Sequence, residues 1–522
     1  MRLNIHELRL SDRSNADILC MSKFVSDRHA KIICTIGPNT RNPEKIRELI
    51  LAGMDVARLN FSHGVQDDHI LSINLIREIS QDLGKPIAIL QDLQGPKIRT
   101  GKLSEGPIKL TRGQKFTITT EQVSSTEGLV STTYRDLARD LKPGNLVLID
   151  DGLLQLKVLE SDGVKLVCEV IHGGLLKDNK GINIPEVKLT AQALTEKDIE
   201  DLKVAIEYDL EFIALSFVRQ ASDVVDLKDR IKKTGRQIPV IAKIEKPQAL
   251  EEIDAILDVT DGIMVARGDL GVELSPEKVP VIQKILIQKA NQKGVTVITA
   301  TQMLESMIKN PSPTRAEASD VANAIIDDTD AVMLSGETAY GDFPIETVKM
   351  MSRIIQEAES AMAYPRRAKT SSVHESLQFV PPADFTHSAN PQTIAETISK
   401  LACQAAIEIG AKAVVTFTSS GKIASMISKS RPNCPIVALS PYTKTQKRVA
   451  LYWGVQAMIV NETLDSFDKI EEMIQVADNI LIESGHFEKG DPVVFTFGSP
   501  MPMIGKTNVM KLHHVGSYMN IE

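Results

Sequence analysis

The sequence predicts an α/β chain: a (β/α)8 TIM-type barrel, a small β-barrel lid domain inserted in it, and a C-terminal α/β domain. Three observations predict it. Short apolar, β-branched runs recur eight times between positions 31 and 335, most of them followed by a stretch of helical periodicity. One strand–helix unit is split by residues that read as alternating β-rich pieces. Beyond Pro365 the composition changes, and a second, shorter series of strands and helices follows.

The eight runs lie at 31–35, 56–60, 87–92, 212–217, 240–244, 262–266, 295–300 and 331–335. Continuous apolar runs suit parallel strands buried on both faces. Helix signals fall between them: Asn42-Pro43 opens one helix and Gly53 closes it, Ser275-Pro276 opens another that Gly294 closes, Ser312-Pro313 opens a third, and Thr195 with Asp198 forms a capping box. After Asp92 the expected helix is delayed to about Thr195. The intervening strands are expected at 115–120, 146–150, 153–158 and 164–170. An insert in this loop lies at the active face of a barrel and can act as a lid. The domains are therefore set at 1–28 (an N-terminal arm), 29–96 with 192–364 (barrel), 97–191 (lid) and 365–522 (C-terminal domain). In the last, a helix is expected at 393–409 and strands at 413–418, 435–439, 456–460 and 492–497, with a strand-like run at 508–515. The stretch 366–390 is polar and aperiodic.

The composition, 43% hydrophobic and 25% charged, is that of a globular protein. A net charge of −8 argues against a general nucleic-acid or acidic-membrane binder. Cys20, Cys34, Cys168, Cys403 and Cys434 are scattered and odd in number, as expected of reduced thiols in the cytoplasm. No uncharged run is long enough to span a membrane. Arg2, Glu7, Arg9, Asp12 and Arg13 spoil a secretory apolar segment, and either Met1 or Met21 can be the start. Gly505-Lys506-Thr507 is no P-loop, because Pro500 stands where the first glycine would be.

Catalytic groups of a barrel gather at the carboxyl ends of its strands. Those ends carry Arg58, Asn60, Ser62 and His63; Asp92, Lys97 and Arg99; Lys243 and Glu245; Gly268 and Asp269; and Thr301. Glu245 and Asp269 come from adjacent strands. They either share a hard cation such as Mg2+ or are salt-bridged to Lys243 and Arg267. Lys243 stands two positions before Glu245, on the same side of its strand. There it either steadies a developing oxyanion or phosphoryl group or is a satisfied structural lysine. Gly268 and Asp269 can offer backbone N–H groups to a carboxylate or phosphate, or simply form a turn. Arg58, His63 and Arg99 suit a polyphosphate.

These residues stand in segments that resemble pyruvate kinase. They are Ile33-Cys-Thr-Ile-Gly37-Pro38, Ala57-Arg-Leu-Asn-Phe-Ser-His-Gly64, Asp92 to Gly101, Lys243-Ile-Glu245, Met264-Val-Ala-Arg-Gly-Asp-Leu-Gly271, Ala300-Thr-Gln-Met-Leu-Glu-Ser-Met307 and Leu334-Ser-Gly-Glu-Thr-Ala339. The resemblance covers about 30–520. It implies transfer of phosphate from phosphoenolpyruvate to ADP, giving pyruvate and ATP. It implies that Lys243, Thr301 and Arg58 are catalytic, and that Gly268, Asp269 and Thr301 receive the substrate carboxylate. Glu245 and Asp269 would hold Mg2+, for which Mn2+ can substitute. Asn60, His63, Arg99 and Lys180 would face the nucleotide. Many members of the family hold K+ at the equivalents of Asn60, Ser62, Asp92 and the carbonyl of Leu93, and carry Glu where this chain has Lys97. An ammonium there supplies the same charge, so K+ is not expected to be required; otherwise Lys97 faces solvent and K+ still binds.

The resemblance further implies a cytoplasmic homotetramer. It also implies control through the C-terminal domain by a sugar phosphate or AMP at Thr418, Ser419, Ser420, Gly421 and Lys422. No nucleic acid or membrane partner is expected. The alternatives are a Mg2+-dependent barrel lyase or aldolase, which would not need Arg58, His63 and Arg99, and an inactive sensor, which would have lost one of Lys243, Glu245, Asp269 or Thr301.

Overall fold

The computed structural model describes residues 28–104, 106–123, 125, 126, 128–185, 187, 193–369, 391–461, 469–499 and 507–518, and the side chains of all of these except 363–369 and 391–393. The arm (apart from Arg28), Cys20, Met21, the stretch 370–390 and Gly505-Lys506 lie outside the described residues.

Three strands open the chain: β1 (Lys31–Thr35), β2 (Val56–Asn60) and β3 (Ala88–Asp92). The insert supplies β4 (Ile108–Leu110), β5 (Lys115–Thr119), β6 (Leu129–Ser131), β7 (Leu146–Ile149), β8 (Leu154–Ser161), β9 (Lys165–His172), β10 (Gly174–Leu176) and β11 (Ile182–Asn183). Five strands follow: β12 (Phe212–Leu215), β13 (Val240–Ile244), β14 (Gly262–Ala266), β15 (Thr296–Ala300) and β16 (Ala331–Leu334). Strands β1–β3 and β12–β16 form a closed, all-parallel barrel in the order β1-β16-β15-β14-β13-β12-β3-β2. All eight coincide with the predicted runs to within two residues at either end.

Alternation divides the core in two. One set of strand residues (Ile33, Val56, Leu90, Ala214, Ile241, Met264, Ile298, Met333) packs inside the barrel. The other (Ile32, Ala57, Ile89, Ile213, Ala242, Ile263, Val297, Val332) packs outward among the helices. Asn42 caps helix Pro43–Ala52 by accepting from Lys45 N at 2.9 Å. Thr195 and Asp198 form the expected capping box. The helix placed after Ser312-Pro313 instead begins at Arg315, with Thr314 as its cap, because Glu317 completes a capping box with Thr314. Ser275-Pro276 opens a 3-10 turn before helix Val279–Gln292.

The insert is a curled six-stranded sheet, β11-β7-β8-β9-β5-β6, with a β10-β4 ribbon, wrapped on one apolar core. Among the described residues its hydrogen-bonded strands do not close into a ring. Its short strands β4, β6, β10 and β11 were not among those predicted.

The C-terminal domain holds helix Pro391–Glu408 and strands β17 (Ala413–Phe417), β18 (Ile436–Ser440), β19 (Val455–Ile459), β20 (Pro492–Phe497) and β21 (Val509–His514). Their order is β19-β18-β17-β20-β21, with β21 antiparallel. This domain docks on the amino-terminal ends of the barrel strands. Lys31 Nζ, at the start of β1, donates to Val455 O at 2.8 Å. Asp330, just before β16, is ion-paired with Lys429 and, at 2.9 Å, with Arg431. Cys34, Cys168, Cys403 and Cys434 are buried free thiols. Among the described residues no helix is long and apolar enough to cross a membrane.

Burial pushes the Asp330 carboxyl up, but Lys429 and Arg431 outweigh it and hold it below the usual carboxylate range. Replacing Asp330 by Asn leaves two buried cations without their counter-charge. We expect Asp330→Asn to lower stability by about 3–5 kcal/mol in urea unfolding. A depressed folded pKa means that this stability is present above the unfolded carboxylate value and is lost as pH falls through the lower folded one. The gap between variant and parent should therefore stay constant from pH 7 to 5 and close only below about pH 4.

Candidate active site

The inward residues at the carboxyl ends of the strands are polar, and they converge. Asp92, at the end of β3, is fully buried and accepts from Arg58 Nε at 2.7 Å. Its other oxygen lies 3.2 Å from Lys243 Nζ. Arg58 also donates to Thr35 Oγ1 at 2.9 Å. Lys243 donates to Ser216 Oγ at 2.8 Å and lies 2.9 Å from Glu245 Oε1. Burial disfavours the Lys243 ammonium, but Asp92 and Glu245 outweigh it and push its pKa above the ordinary lysine value. Burial raises the Asp92 carboxyl, yet Lys243 and Arg58 together bring it below its ordinary value. Each shift favours the charged form, so the pair favours an ammonium beside a carboxylate.

Glu245 Oε2 accepts from the backbone of Phe217 at 2.6 Å, which draws Phe217 into the left-handed region (φ 55°) and ends β12 at Leu215. Ser216 and Phe217, predicted as strand, leave it for this reason. Glu245 Oε1 is buried; the Lys243 ammonium touches it as an ion pair, outside hydrogen-bonding geometry. Burial, and then the Asp269 charge, raise the Glu245 pKa against the pull of Lys243. An incompletely satisfied buried carboxylate oxygen, facing a second carboxylate, suits a hard divalent cation. The salt bridge weighed as the alternative is present for Glu245 with Lys243. Asp269 has a different partner: Lys97 Nζ at 3.5 Å.

Thr301 and Gln302 both have left-handed backbones (φ 68° and 54°). Arg267 braces them, donating to Thr301 O at 2.7 Å while bound to Asp320 at 2.7 Å. Thr301 Oγ1 accepts from Gly268 N at 2.9 Å. Lys97, Gly268, Asp269, Thr301, Ser335 and Asp151 of the insert line one groove of about 630 Å3.

The other predicted residues flank it. Asn60 Oδ1 accepts from Ser62 N at 3.1 Å, and Leu93 O accepts from Ser216 Oγ at 2.7 Å. Burial, and then the charges of Arg99, Lys97 and Arg58, push the His63 pKa below its ordinary value. Arg99 and Lys180 lie on the two segments that lead into and out of the insert: Thr100 N donates to Lys180 O at 2.8 Å, and Lys180 Nζ meets Asp150 at 2.8 Å. Far from this groove, Thr418 Oγ1 accepts from Gly421 N at 2.8 Å, and Gly421 is left-handed (φ 83°) ahead of helix Lys422–Lys429. This loop lies in the C-terminal domain and is not brought to the barrel rim.

A family model described as pyruvate kinase, barrel domain, matches residues 27–348, and a second, pyruvate kinase, alpha/beta domain, matches 396–513. The chain belongs to the pyruvate kinase family. It is 42% identical over 490 residues to pyruvate kinase of Clostridium perfringens, covering 93% of this chain and 99% of that one. It is 44% identical to pyruvate kinase 2 of a Synechocystis strain, covering 94% and 79%. A crystal structure of a pyruvate kinase from Cryptosporidium parvum superposes with a TM-score of 0.84 at 37% identity, covering 96% of this chain and 98% of that one. As a member, the chain is a glycolytic phosphotransferase.

Sequence reasoning left Thr35, Ser216 and Arg267 without site roles. Thr35 and Ser216 were within reach of it: each stands at a strand end with the inward parity of Lys243. Arg267 was named only as a possible partner of Asp269; its brace to Thr301 depends on a backbone conformation that no residue type announces. Arg267→Met should free the Thr301 carbonyl. We expect turnover to fall about a hundredfold, the cost of a reacting group misplaced by about 1 Å, with far-ultraviolet circular dichroism unchanged; a steady-state assay of pyruvate formation reads it.

Proposed function

We infer that this chain transfers the phosphoryl group of phosphoenolpyruvate to ADP, giving pyruvate and ATP, in the groove between barrel and insert. The observation that carries the reading is the buried Lys243 ammonium held among Asp92, Glu245 and Ser216, with Arg58 beside it. As the bond from phosphorus to the enol oxygen breaks, that oxygen keeps the electron pair. A fixed ammonium stabilises both the phosphoryl group in flight and the enolate left behind. Arg58 grips the phosphoryl oxygens, and ADP attacks in line from the side of Asn60, His63, Arg99 and Lys180. The backbone N–H of Asp269, and that of Gly268 once it leaves the Thr301 hydroxyl, receive the substrate carboxylate together with that hydroxyl. Thr301 stands at the face where C3 of the enolate takes its proton, through water. Asp151 reaches over the groove from the insert, which can then exclude water that would hydrolyse the phosphoryl group.

Glu245 and Asp269 would hold Mg2+ or Mn2+, which when bound supplies positive charge to the substrate's carboxylate, phosphoryl and enolate oxygens. Charge at the monovalent position comes from the chain itself. Asp92 is already flanked by Arg58 and Lys243, and Lys97 adds an ammonium on the Asp269 side of the same rim. Lys97 turns to Asp269 because Asp92 is saturated. K+ is therefore not required.

The loop Thr418–Lys422 is the site for a sugar-phosphate or AMP effector: hydroxyls, a left-handed glycine and a helix start make an anion cradle. The protein is a cytoplasmic homotetramer; exposed apolar side chains on helix Val279–Gln292 (Val281, Ile285) and on the C-terminal domain (Leu401, Leu512) support self-association.

The test is pyruvate formation by the purified protein from phosphoenolpyruvate, ADP and Mg2+, once with K+ and once with a bulky organic cation as counter-ion. Turnover equal within about twofold is expected, since a tethered ammonium replaces the free ion. Turnover only with K+ would remove Lys97 from this role and keep the reaction. No pyruvate under either condition would overturn the functional reading.

A further inference from the structure

The barrel interior is built as a stack. Thr35, Arg58, Asp92, Ser216 and Lys243 stand two residues beyond Ile33, Val56, Leu90, Ala214 and Ile241 on the same inward faces, so the charged rim rests directly on an apolar layer. A TIM-type barrel fills its lower end with its own side chains. Here the apolar cluster takes in a side chain from another domain: Leu451, 1% exposed, with Ala450 and Tyr452 at its margin. Leu451 ends a 3-10 turn, Val449–Leu451, that follows helix Thr443–Arg448 of the C-terminal domain. The floor beneath Lys243 is therefore supplied by the domain that carries the loop Thr418–Lys422.

That loop packs on the same turn. Thr445 Oγ1 donates to Ser419 O at 2.7 Å. A methyl group added at Gly421 would lie 2.7 Å from Val449 Cγ1 and 3.7 Å from Tyr452 Cε2. A change in the loop must therefore press on the turn, and the turn has little slack: its tip, Leu451, is buried in the same apolar cluster as Ile33, Val56, Leu90 and Ile241. Close-packed interiors transmit such displacements instead of absorbing them.

We propose that the segment Thr445–Tyr452 is the mechanical link between the anion loop and the catalytic rim, with Leu451 as a positioning residue that sets the height of the Lys243 layer from below. This rests on the effector reading of Thr418–Lys422 and adds to it a route. An anion that draws the loop toward itself shifts Val449 and Tyr452, moves Leu451 within the cluster, and alters how closely Lys243 and Arg58 meet the phosphoryl group. The link runs along one continuous set of contacts, so removing the tip uncouples the sites without touching either.

The sole tryptophan of the chain reports on it. Trp453 is two residues beyond the tip, stacked on His29 at 4.5 Å and under Arg431 at 4.6 Å. The experiment uses the full chain and three probes: inorganic phosphate, a sugar bisphosphate and AMP. Binding is read by equilibrium dialysis and by Trp453 emission, with Lys422→Ala as the control that places the bound probe in the loop. Coupling is read as the shift in half-saturating phosphoenolpyruvate. The parent protein should bind the sugar bisphosphate or AMP and show a shift of about fivefold or more. Leu451→Ala should bind the same probe equally well and keep less than about a third of that shift. Leu451→Met, which refills the floor, should restore it. If Leu451→Ala does not fold, Leu451→Val gives the same comparison with a smaller cavity.

A Leu451→Ala protein that binds the probe and keeps the full shift overturns the link. So does a parent protein that binds the probe with no shift at all. If dialysis retains none of the probes, the effector reading itself falls, and the link falls with it.

Discussion

One buried carboxylate organises this molecule. Asp92 lies at the centre of the barrel rim with Arg58 on one oxygen and Lys243 on the other. A carboxylate so deeply buried is costly unless its charge is met, and two cations so close together are costly unless an anion lies between them. Each is therefore the condition for the others. The arrangement keeps Lys243 protonated and Glu245 incompletely satisfied, and those are the two properties that a phosphoryl-transfer site with a divalent cation requires. Burial alone would push the lysine's pKa down, and Asp92 is the largest of the charges that oppose it. A Glu245 fully hydrogen-bonded elsewhere would have less to offer a metal.

The rest of the structure maintains that cluster from three sides. From above, the insert adds Asp151 to the lining of the groove, and the segment leading into it brings Lys97 to Asp269 and Arg99 near His63. From the side, Arg267 holds the left-handed Thr301 in place through its carbonyl, with Asp320 anchoring the guanidinium. From below, the C-terminal domain closes the barrel with Leu451 and is itself fastened by Lys31, Lys429 and Arg431. The C-terminal domain thus contributes a side chain to the barrel's own apolar core.

Much of this could be read from the residues in order. Eight continuous apolar runs mark buried parallel strands, and the polar residues that end them mark the rim; the spacing of Lys243 and Glu245 places both on one face. The delayed helix at Glu196–Glu207 marks the insert. The failures have physical causes. Strands of two or three residues, such as β4 and β11, are too short to show alternation. Ser216 and Phe217 read as strand because nothing local announces that Glu245, on another strand, will pull the Phe217 backbone out of it. Lys97 was read as the ammonium that stands in for a monovalent cation; that its nearest carboxylate is Asp269 on β14 could not be read, because the pairing joins residues far apart in the chain. Leu451 reads as one more apolar residue in an ordinary α/β domain. The cluster it joins is drawn from all eight barrel strands, far away in the chain, and only the docking of the two domains brings them together.

The account stands or falls on Lys243 as the cation that the enolate and the phosphoryl group share. The direct measurement is pyruvate formation by Lys243→Met, which keeps the length of the side chain and removes its charge, alongside circular dichroism and thermal unfolding of the same preparation. The account predicts a fall in turnover of at least about a thousandfold, in line with the loss of a preorganised charge at the reacting atoms, in a protein that is still folded. A folded Lys243→Met protein with turnover within about tenfold of the parent would contradict it.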